Sequence, residues 1–300
     1  MKIAIIGSNS FLASYLIREF MAANMELVLF GESPSNEFPD LPFTRFKVPE
    51  FPLNLSFLAD KDVIIYTAGA GIQADLKEQS EIIYELNSFL PVRIFNFLAL
   101  NGFKGKVITF GSYFEIGNEP LAHHYTEDEV ATSRHAVPNH YCASKRILTR
   151  FLSSAPGLPV HYHLILPNIY GKGENQNRII PYLLDALMRG SEIKLTSGSQ
   201  VRQYIHVNDI SRAVLQFILN TYPKGLYNLC IRDQVQIKTL VRSVYRLMDR
   251  EVEFNRLDFG KNQRNDTTMP FLLLENKKTL EVLEFQPSIT LEEGLRTYIQ

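Results

Sequence analysis

Short apolar runs alternate with helically spaced apolar positions from the first residues onward. Lys2 to Ile6 reads as a buried strand, Gly7 to Ser10 as a turn, and Phe11 to Met21 repeats its apolar residues at helical intervals. Glu26 to Phe30 predicts a second strand. Ser33 to Pro52, rich in Pro, Asp, Asn and Ser, reads as mostly loop. Further strands are predicted at Asp62 to Tyr66, Lys106 to Phe110 and Val160 to Leu166. Between them lie a long helix over Gln79 to Leu100 and another that starts near Tyr141 and continues from Ser144 to Ser153. This alternation predicts a parallel sheet covered on both faces, with right-handed crossovers. After Gly171 the pattern loosens. Helical spacing returns at Ile180 to Met188 and Asp209 to Leu219 among short strand-like pieces, so the last third reads as a smaller, irregular cap. The chain carries no internal repeat and no low-complexity tract.

Composition narrows the class. The 300 residues include 45% hydrophobic and 21% charged residues, ordinary for a globular protein with a substantial core. Lys plus Arg number 31 against 32 Asp plus Glu, so no global charge draws the chain to nucleic acid or an anionic membrane. An anionic ligand must therefore be held by a few local groups. Two cysteines, Cys142 and Cys230, form neither a disulfide framework nor a four-ligand zinc site, and no metal is expected. The first apolar run, Ile3 to Ile6, lacks the length and cleavage site of a signal peptide, and no run reaches spanning length. A cytoplasmic location is the expectation.

Gly7, Ser10 and Ala13 lie between a strand and a helix, where dinucleotides set their pyrophosphate against exposed helix N–H groups. Three glycines are usual there. Ala13 preserves close helix–strand packing, whereas Ser10 is the heavier change because the backbone must still approach a phosphate. A plain strand–helix turn has the same local signature. Asp62 to Tyr66 then runs into Ala68, Gly69 and Ala70, small residues that let a ligand lie against backbone at a strand end; a tight turn would look alike.

Tyr141 and Lys145 stand at i and i+4 on one helix face. A neighbouring ammonium favours the phenolate and makes a phenol useful as an acid or base near neutrality. This spacing also arises by chance. Its company gives it weight: the strand ending at Ser112, then Tyr113 to Gly117, the Tyr141 helix, and Leu164 to Gly171. In this order the motifs resemble the extended short-chain dehydrogenase/reductase family, whose nucleotide-sugar branch includes epimerases, dehydratases and ketoreductases. The resemblance continues through Arg202 to Asp209, Tyr227, Gln263 to Asp266, Phe285 and Leu291 to Leu295, essentially the whole chain.

The resemblance implies a Rossmann-type α/β fold, a doubly wound parallel sheet with a smaller mixed α/β C-terminal substrate-binding region. Residues 1–171 would form the dinucleotide domain, with 204–231 returning to it, and 172–203 and 232–300 the substrate region. It makes Tyr141 the general acid/base, Lys145 the group that lowers its pKa and holds the nicotinamide ribose, and Ser112 the holder of the reacting sugar oxygen. Gly7, Ser10, Phe11 and Leu12 would surround the cofactor pyrophosphate. Ala68, Gly69 and Ala70 would lie along the cofactor, Asn87 would support its pocket, and Pro167 and Ile169 would flank the nicotinamide. Asn168, Tyr113 and Arg178 would contact substrate, and Arg202 and Arg264 would clamp its pyrophosphate, a role that suits guanidinium geometry although a lone Arg is ordinarily a surface salt bridge. By the same likeness a homodimer would form through a helix pair that includes Gln79 to Leu100 and the Tyr141 helix.

Departures sharpen the reading. Dehydratases of this family place an Asp–Glu pair just after the Ser or Thr, and here those positions are Tyr113 and Phe114. Glu115 comes one place late, and in a β-like segment that shift turns a side chain away. A nucleotide-sugar 4,6-dehydratase is therefore disfavoured. At the end of the second strand, NAD enzymes often carry an acid for the ribose; Gly31 stands there, followed by Glu32. Loss of the acid favours NADP, no Arg follows to bind the extra phosphate, and Glu32 can still serve NAD. His123, His124 and His206 read as loop or structural residues, His140 as a neighbour of Tyr141, and Cys142 as core.

Three functions follow. The first is NAD(P)H-dependent reduction of the C4 ketone of a nucleotide-activated 4-keto-6-deoxyhexose. The second is a nucleotide-sugar C4 epimerase, which would use the same Ser112, Tyr141 and Lys145. The third is a non-catalytic dinucleotide-binding sensor, which the altered glycine turn permits and the intact phenol argues against.

Overall fold

The computed structural model describes residues 1–71, 80–254, 257–260 and 269–299. Strands follow in chain order as β1 (Lys2–Ile6), β2 (Glu26–Gly31), β3 (Phe43–Arg45), β4 (Val63–Tyr66), β5 (Lys106–Ser112), β6 (His124–Tyr125) and β7 (Val160–Leu166). They continue with β8 (Asn168–Tyr170), β9 (Val201–Arg202), β10 (Tyr204–His206), β11 (Gly225–Asn228), β12 (Val235–Gln236) and β13 (Phe271–Leu274). Seven make one sheet in the order β11-β7-β5-β4-β1-β2-β3, every neighbouring pair parallel. Alternate residues of β1 serve opposite layers. Ile3 and Ile5 join the core beneath helices Phe11–Ala22 and Val207–Leu219. Ala4 and Ile6 join the core beneath helices Leu90–Leu100 and His140–Ser154. Burial on both faces is why these strands read as continuous apolar runs.

The chain winds outward through β2 and β3, then crosses to β4 and winds the other way. That reversal opens a crevice between the carboxyl ends of β1 and β4, where open α/β sheets receive ligands. A third core, built around Ile180, Leu183, Leu187, Leu240, Val241 and Val244, lies in the C-terminal region. The mixed sheet β12-β9-β13-β6 and the parallel pair β10-β8 stand apart from the main sheet.

Two elements differ from the reading of the sequence. Phe43–Arg45 forms a three-residue edge strand on β2 inside the stretch expected to be loop. An edge strand pairs on one side only, so Pro39, Pro42 and Pro49 can flank it. The long helix, described from Ser80, opens into a π turn at Glu85–Phe89 before resuming at Leu90. Pro91 has no N–H to return to the Asn87 carbonyl, and the wider turn absorbs that loss. Gln79 lies outside the described residues.

Candidate functional site

A cavity of about 740 Å³ sits over the carboxyl ends of β1, β4, β5 and β7. Gly7, expected at the pyrophosphate, lies off the cavity lining and serves to join the strand ends beside it. Gly7 has φ of +92°, and a Cβ there would fall 2.3 Å from the Ala68 nitrogen, so only glycine lets the ends of β1 and β4 meet. Ser10, Phe11 and Leu12 bring the start of helix Phe11–Ala22 to the cavity. Ser10 is the N-cap at φ −77° and ψ 152°, and its hydroxyl accepts from Ala13 N at 3.2 Å. Serine therefore stands unstrained where glycine is usual, with its side chain folded back as a cap.

Ala68, Gly69 and Ala70 line the opposite side. Asn87, projecting from the π turn, fixes them without lining the cavity. Its amide accepts from Ala70 N at 3.0 Å and donates to Ala70 O at 2.8 Å and Ser144 Oγ at 2.9 Å. A Cβ on Gly69 would lie 3.0 Å from Asn87 Oδ1 and 3.9 Å from Lys145 Nζ. The small residues Ala68, Gly69 and Ala70 facing the start of a helix fit a dinucleotide pyrophosphate.

Gly31 lies off the cavity lining. A Cβ there would meet Asn9 Oδ1 at 2.3 Å and Ser8 Oγ at 2.5 Å. Asn9 Oδ1 accepts from Glu32 N at 2.7 Å, and its amide donates to Ser33 O at 2.9 Å. Packing of Asn9 thus explains the missing acid at this position. Pairing of β2 with β3 also sets Arg45 opposite Gly31, a guanidinium at the strand end that the sequence order hid.

Ser112 ends β5, and Tyr141 and Lys145 project from the helix that Asn139 caps through Cys142 N at 3.0 Å. All three line the cavity. Burial raises the Tyr141 phenol above its ordinary range, partly offset by the Ser112 hydroxyl beside it. Lys145 donates to Phe110 O at 2.9 Å; burial lowers its ammonium to about 8 against the pull of Glu115. In the ligand-free protein burial outweighs the Ser112 hydroxyl and the Arg178 charge, which lower the phenol, so it is raised rather than lowered and is protonated at neutral pH.

The next residues also need correction. Tyr113 to Ile116 is a 3₁₀ turn rather than a β-like segment. Tyr113, expected at the substrate, is fully buried and off the cavity lining, whereas Phe114 lines it with its ring 6.4 Å from that of Tyr141. Glu115 does turn away, but because it closes a capping box with Ser112, its Oε1 accepting from Ser112 N at 2.7 Å.

Pro167, Asn168 and Ile169 line the cavity where β7 gives way to β8. Toward the C-terminal region stand Arg178, Lys194 and Arg202. Arg202 is buried and directs Nη1 to Val201 O at 2.8 Å and Nη2 to Met269 O at 2.8 Å. It anchors the approach to β13 as well as facing the cavity, and is no free clamp. Arg178 pairs through Nε with Glu174 at 3.1 Å. Glu174 accepts from the Tyr298 hydroxyl, which itself accepts from Gly171 N at 2.7 Å. Arg264 lies outside the described residues. Glu174 and Gln200 also line the cavity, with only polar residues between Gly171 and Arg202 to signal them, and Tyr204 lines it from inside the Arg202 to Asp209 motif. Among the described residues no cluster suits a metal ion, and no helix is long and apolar enough to cross a membrane.

Comparison with known proteins agrees with this geometry. The model of the NAD dependent epimerase/dehydratase family matches residues 3–230. A dTDP-4-dehydro-6-deoxy-D-allose reductase of Streptomyces bikiniensis is 27% identical over 307 residues, covering 95% of this chain and 91% of its own. A CDP-abequose synthase of Salmonella muenchen is 21% identical over 306 residues, covering 98% and 96%. In structure, the dTDP-glucose 4,6-dehydratase of Bacillus anthracis, solved with NAD, superposes with a TM-score of 0.83 at 16% identity, over 100% of this chain and 96% of the other.

Proposed function

Because this chain belongs to the NAD dependent epimerase/dehydratase family, we propose that it is a nucleotide-sugar 4-ketoreductase of deoxysugar biosynthesis. The observation that carries the reading is a buried Tyr141 beside Ser112, in one cavity with Lys145, the small residues Ala68 to Ala70 and the guanidiniums of Arg178 and Arg202. Reduction of a ketone needs an acid at the carbonyl oxygen, and the raised phenol is in the donating state. Ser10, Phe11, Leu12 and Ala68 to Ala70 would hold a nicotinamide dinucleotide, with Lys145 at its ribose and Pro167 and Ile169 against the nicotinamide. When bound in reduced form, that group supplies the hydride to C4 of the sugar. Ser112 donates a hydrogen bond to the C4 oxygen, and Tyr141 passes its phenolic proton to that oxygen as it becomes an alcohol. Phe114 and Tyr141 shield the reacting carbon, while Asn168, Arg178 and Arg202 face the diphosphate, the first as an amide and the last two as guanidiniums. The relatives named as a 4-dehydro-6-deoxysugar reductase and as a CDP-abequose synthase support this substrate class.

NADP is the preferred form in this reading. The hydrogen-bonded Asn9 side chain occupies the space that an acid at position 31 would take, and Arg45 is the partner of Gly31 on β3. Exposed Phe89 and Ile147, on the two helices beneath one face of the sheet, support a homodimer through that helix pair. The test is nicotinamide absorbance on mixing the protein with NADPH or NADH and a panel of nucleotide 4-keto-6-deoxysugars. Stoichiometric oxidation with one sugar is expected. No oxidation with any of them, together with oxidised dinucleotide released on denaturation, would replace this reading with a C4 epimerase.

A further inference from the structure

A buried polar chain lies behind the reacting residues. Glu115 is fully buried on the 3₁₀ turn. Its Oε1 accepts from Ser112 N at 2.7 Å, and Oε2 has no hydrogen-bond partner among the described residues. A Cβ on Gly111 would fall 2.9 Å from Oε1 and 2.6 Å from His163 Nε2, so Glu115 and His163 together fill the space under that glycine. His163 bridges Thr109 Oγ1 at 2.7 Å and Thr149 Oγ1 at 2.9 Å. Thr149 is one helical turn after Lys145, whose ammonium rests on the Phe110 carbonyl, one peptide away.

The geometry points to Glu115 as a positioning residue that, from behind the Gly111–Ser112 backbone, fixes the Ser112 peptide and balances the charge of Lys145. The groups that face it are Ser112 N–H from β5, Lys145, Arg146 and Thr149 from the Tyr141 helix, and His163 from β7. Arg146 is committed elsewhere, with Nε on the Glu115 main-chain carbonyl at 2.8 Å and Nη1 on His135 O at 2.9 Å. Burial drives His163 well below its ordinary range, so its ring is neutral at pH 7. Lys145 and Arg146 are the charges to which the carboxyl answers, and Lys145 is the one brought near neutrality. Burial raises Glu115, while Thr149, Ser112, Lys145 and Arg146 pull it back down. With the carboxyl on the Ser112 N–H and the lysine on the Phe110 carbonyl, only Gly111 lies between their two anchor points, and this ties their geometry to one protonation state.

This rests on the proposed reading only where Lys145 holds the dinucleotide; the charge coupling is measurable without ligand. Lysine 13Cε resonances of the ligand-free protein would be followed from pH 6 to 10.5. In Glu115→Gln, which keeps an acceptor for Ser112 N, the Lys145 midpoint should fall by about one pH unit or more from its value in the unaltered protein. NADPH affinity should match the unaltered protein at pH 6 and be roughly fivefold weaker at pH 8. Thr149→Val keeps both charges and should move the midpoint the same way by less; it decides the matter if Glu115→Gln does not fold. An unchanged midpoint in the folded variants overturns the proposal, as does a pH-independent loss of affinity. If the midpoint moves while neither NADPH nor NADH binds the unaltered protein, the coupling stands and the reductase reading fails.

Discussion

Where the cavity meets the sheet, its wall includes the small residues Ala68, Gly69 and Ala70; where it meets the C-terminal region, its wall is long side chains. Gly7 and Ala68 approach so closely that no Cβ fits, and the Asn87 amide holds Ala70 on both its N–H and C=O. The opposite lobe depends on Arg178 and Arg202, each already engaged, one with Glu174 and the other with the carbonyls of Val201 in β9 and Met269 before β13. The first half selects by shape and by backbone dipoles that no titration can change. The second selects by charge through cations whose reach depends on their partners. Changes to the first half should be all-or-none, and changes to the second graded.

The sharpest break in that comparison lies at their junction. Tyr141→Phe removes the proton donor and leaves both halves intact, so turnover should fall about 10³-fold, within the range of general acid catalysis. Dinucleotide affinity, read from nicotinamide fluorescence, should stay within about twofold of the unaltered protein. Loss of affinity of similar size would make Tyr141 a structural element of the cradle instead. Next comes pH. Lys145 titrates near 8 in the ligand-free protein, below its ordinary value. It is therefore an ammonium at pH 7 and loses its proton as pH rises through 8. The Tyr141 phenol keeps its proton well beyond that point. Then kcat/KM for the dinucleotide should fall about tenfold per pH unit above the lysine midpoint and stay flat below it.

The same contrast governs what the sequence discloses. The buried strands are legible because burial on two faces writes an unbroken apolar run, as in Val63–Tyr66. Ser112, Tyr141 and Lys145 meet in one cavity because a strand end and a helix start each carry a local signature. Elements that depend on distant partners are silent. Phe43–Arg45 is a strand because β2 offers it an edge, and its prolines conceal that. The π turn at Glu85–Phe89 adds one residue to a turn, too small an offset for apolar spacing to register. The family likeness assigned Tyr113 to the substrate and alternation turned Glu115 away, but the segment winds into a 3₁₀ turn, which exposes Phe114 to the cavity and buries Tyr113. Ser10 looked costly because a glycine was missing, whereas its dihedrals are those of an ordinary N-cap. In the charged lobe, Tyr298 and Glu174 are 124 residues apart, and no local pattern links them.

Arg45 tests whether the shape-selecting half contains one charge-selecting point. Arg45→Ala should weaken NADPH binding by about tenfold, the scale of one charge-assisted contact, and leave NADH within about twofold. The guanidinium packs 3.8 Å from the centre of the Phe51 ring, so Arg45→Lys should keep the charge and part of the affinity but lose the stacking and the paired donors. Equal loss for both dinucleotides would show that Arg45 supports β3 rather than reading a phosphate.

The smallest effect should come from the far end of the charged lobe. Tyr298 donates to Glu174 and accepts from Gly171 N, so one hydroxyl joins the C-terminal segment to the carboxylate that orients Arg178. Burial raises the Glu174 carboxyl, and Arg178 and the tyrosine bring it back down. Tyr298→Phe removes one donor, leaves Glu174 easier to protonate, and loosens its hold on the guanidinium. Two hydrogen bonds are lost with the hydroxyl, that from Gly171 N as well as that to Glu174; the second, about 1 kcal/mol, is the one that reaches Arg178 and corresponds to a rise of roughly fivefold in KM for the nucleotide sugar. Turnover and NADPH affinity should not change, since neither the cradle nor Tyr141 is touched. A fall in KM would carry the opposite lesson: Glu174 would then be competing with the substrate phosphates for Arg178, and the lobe would be tuned to hold its ligand less tightly than its cations allow.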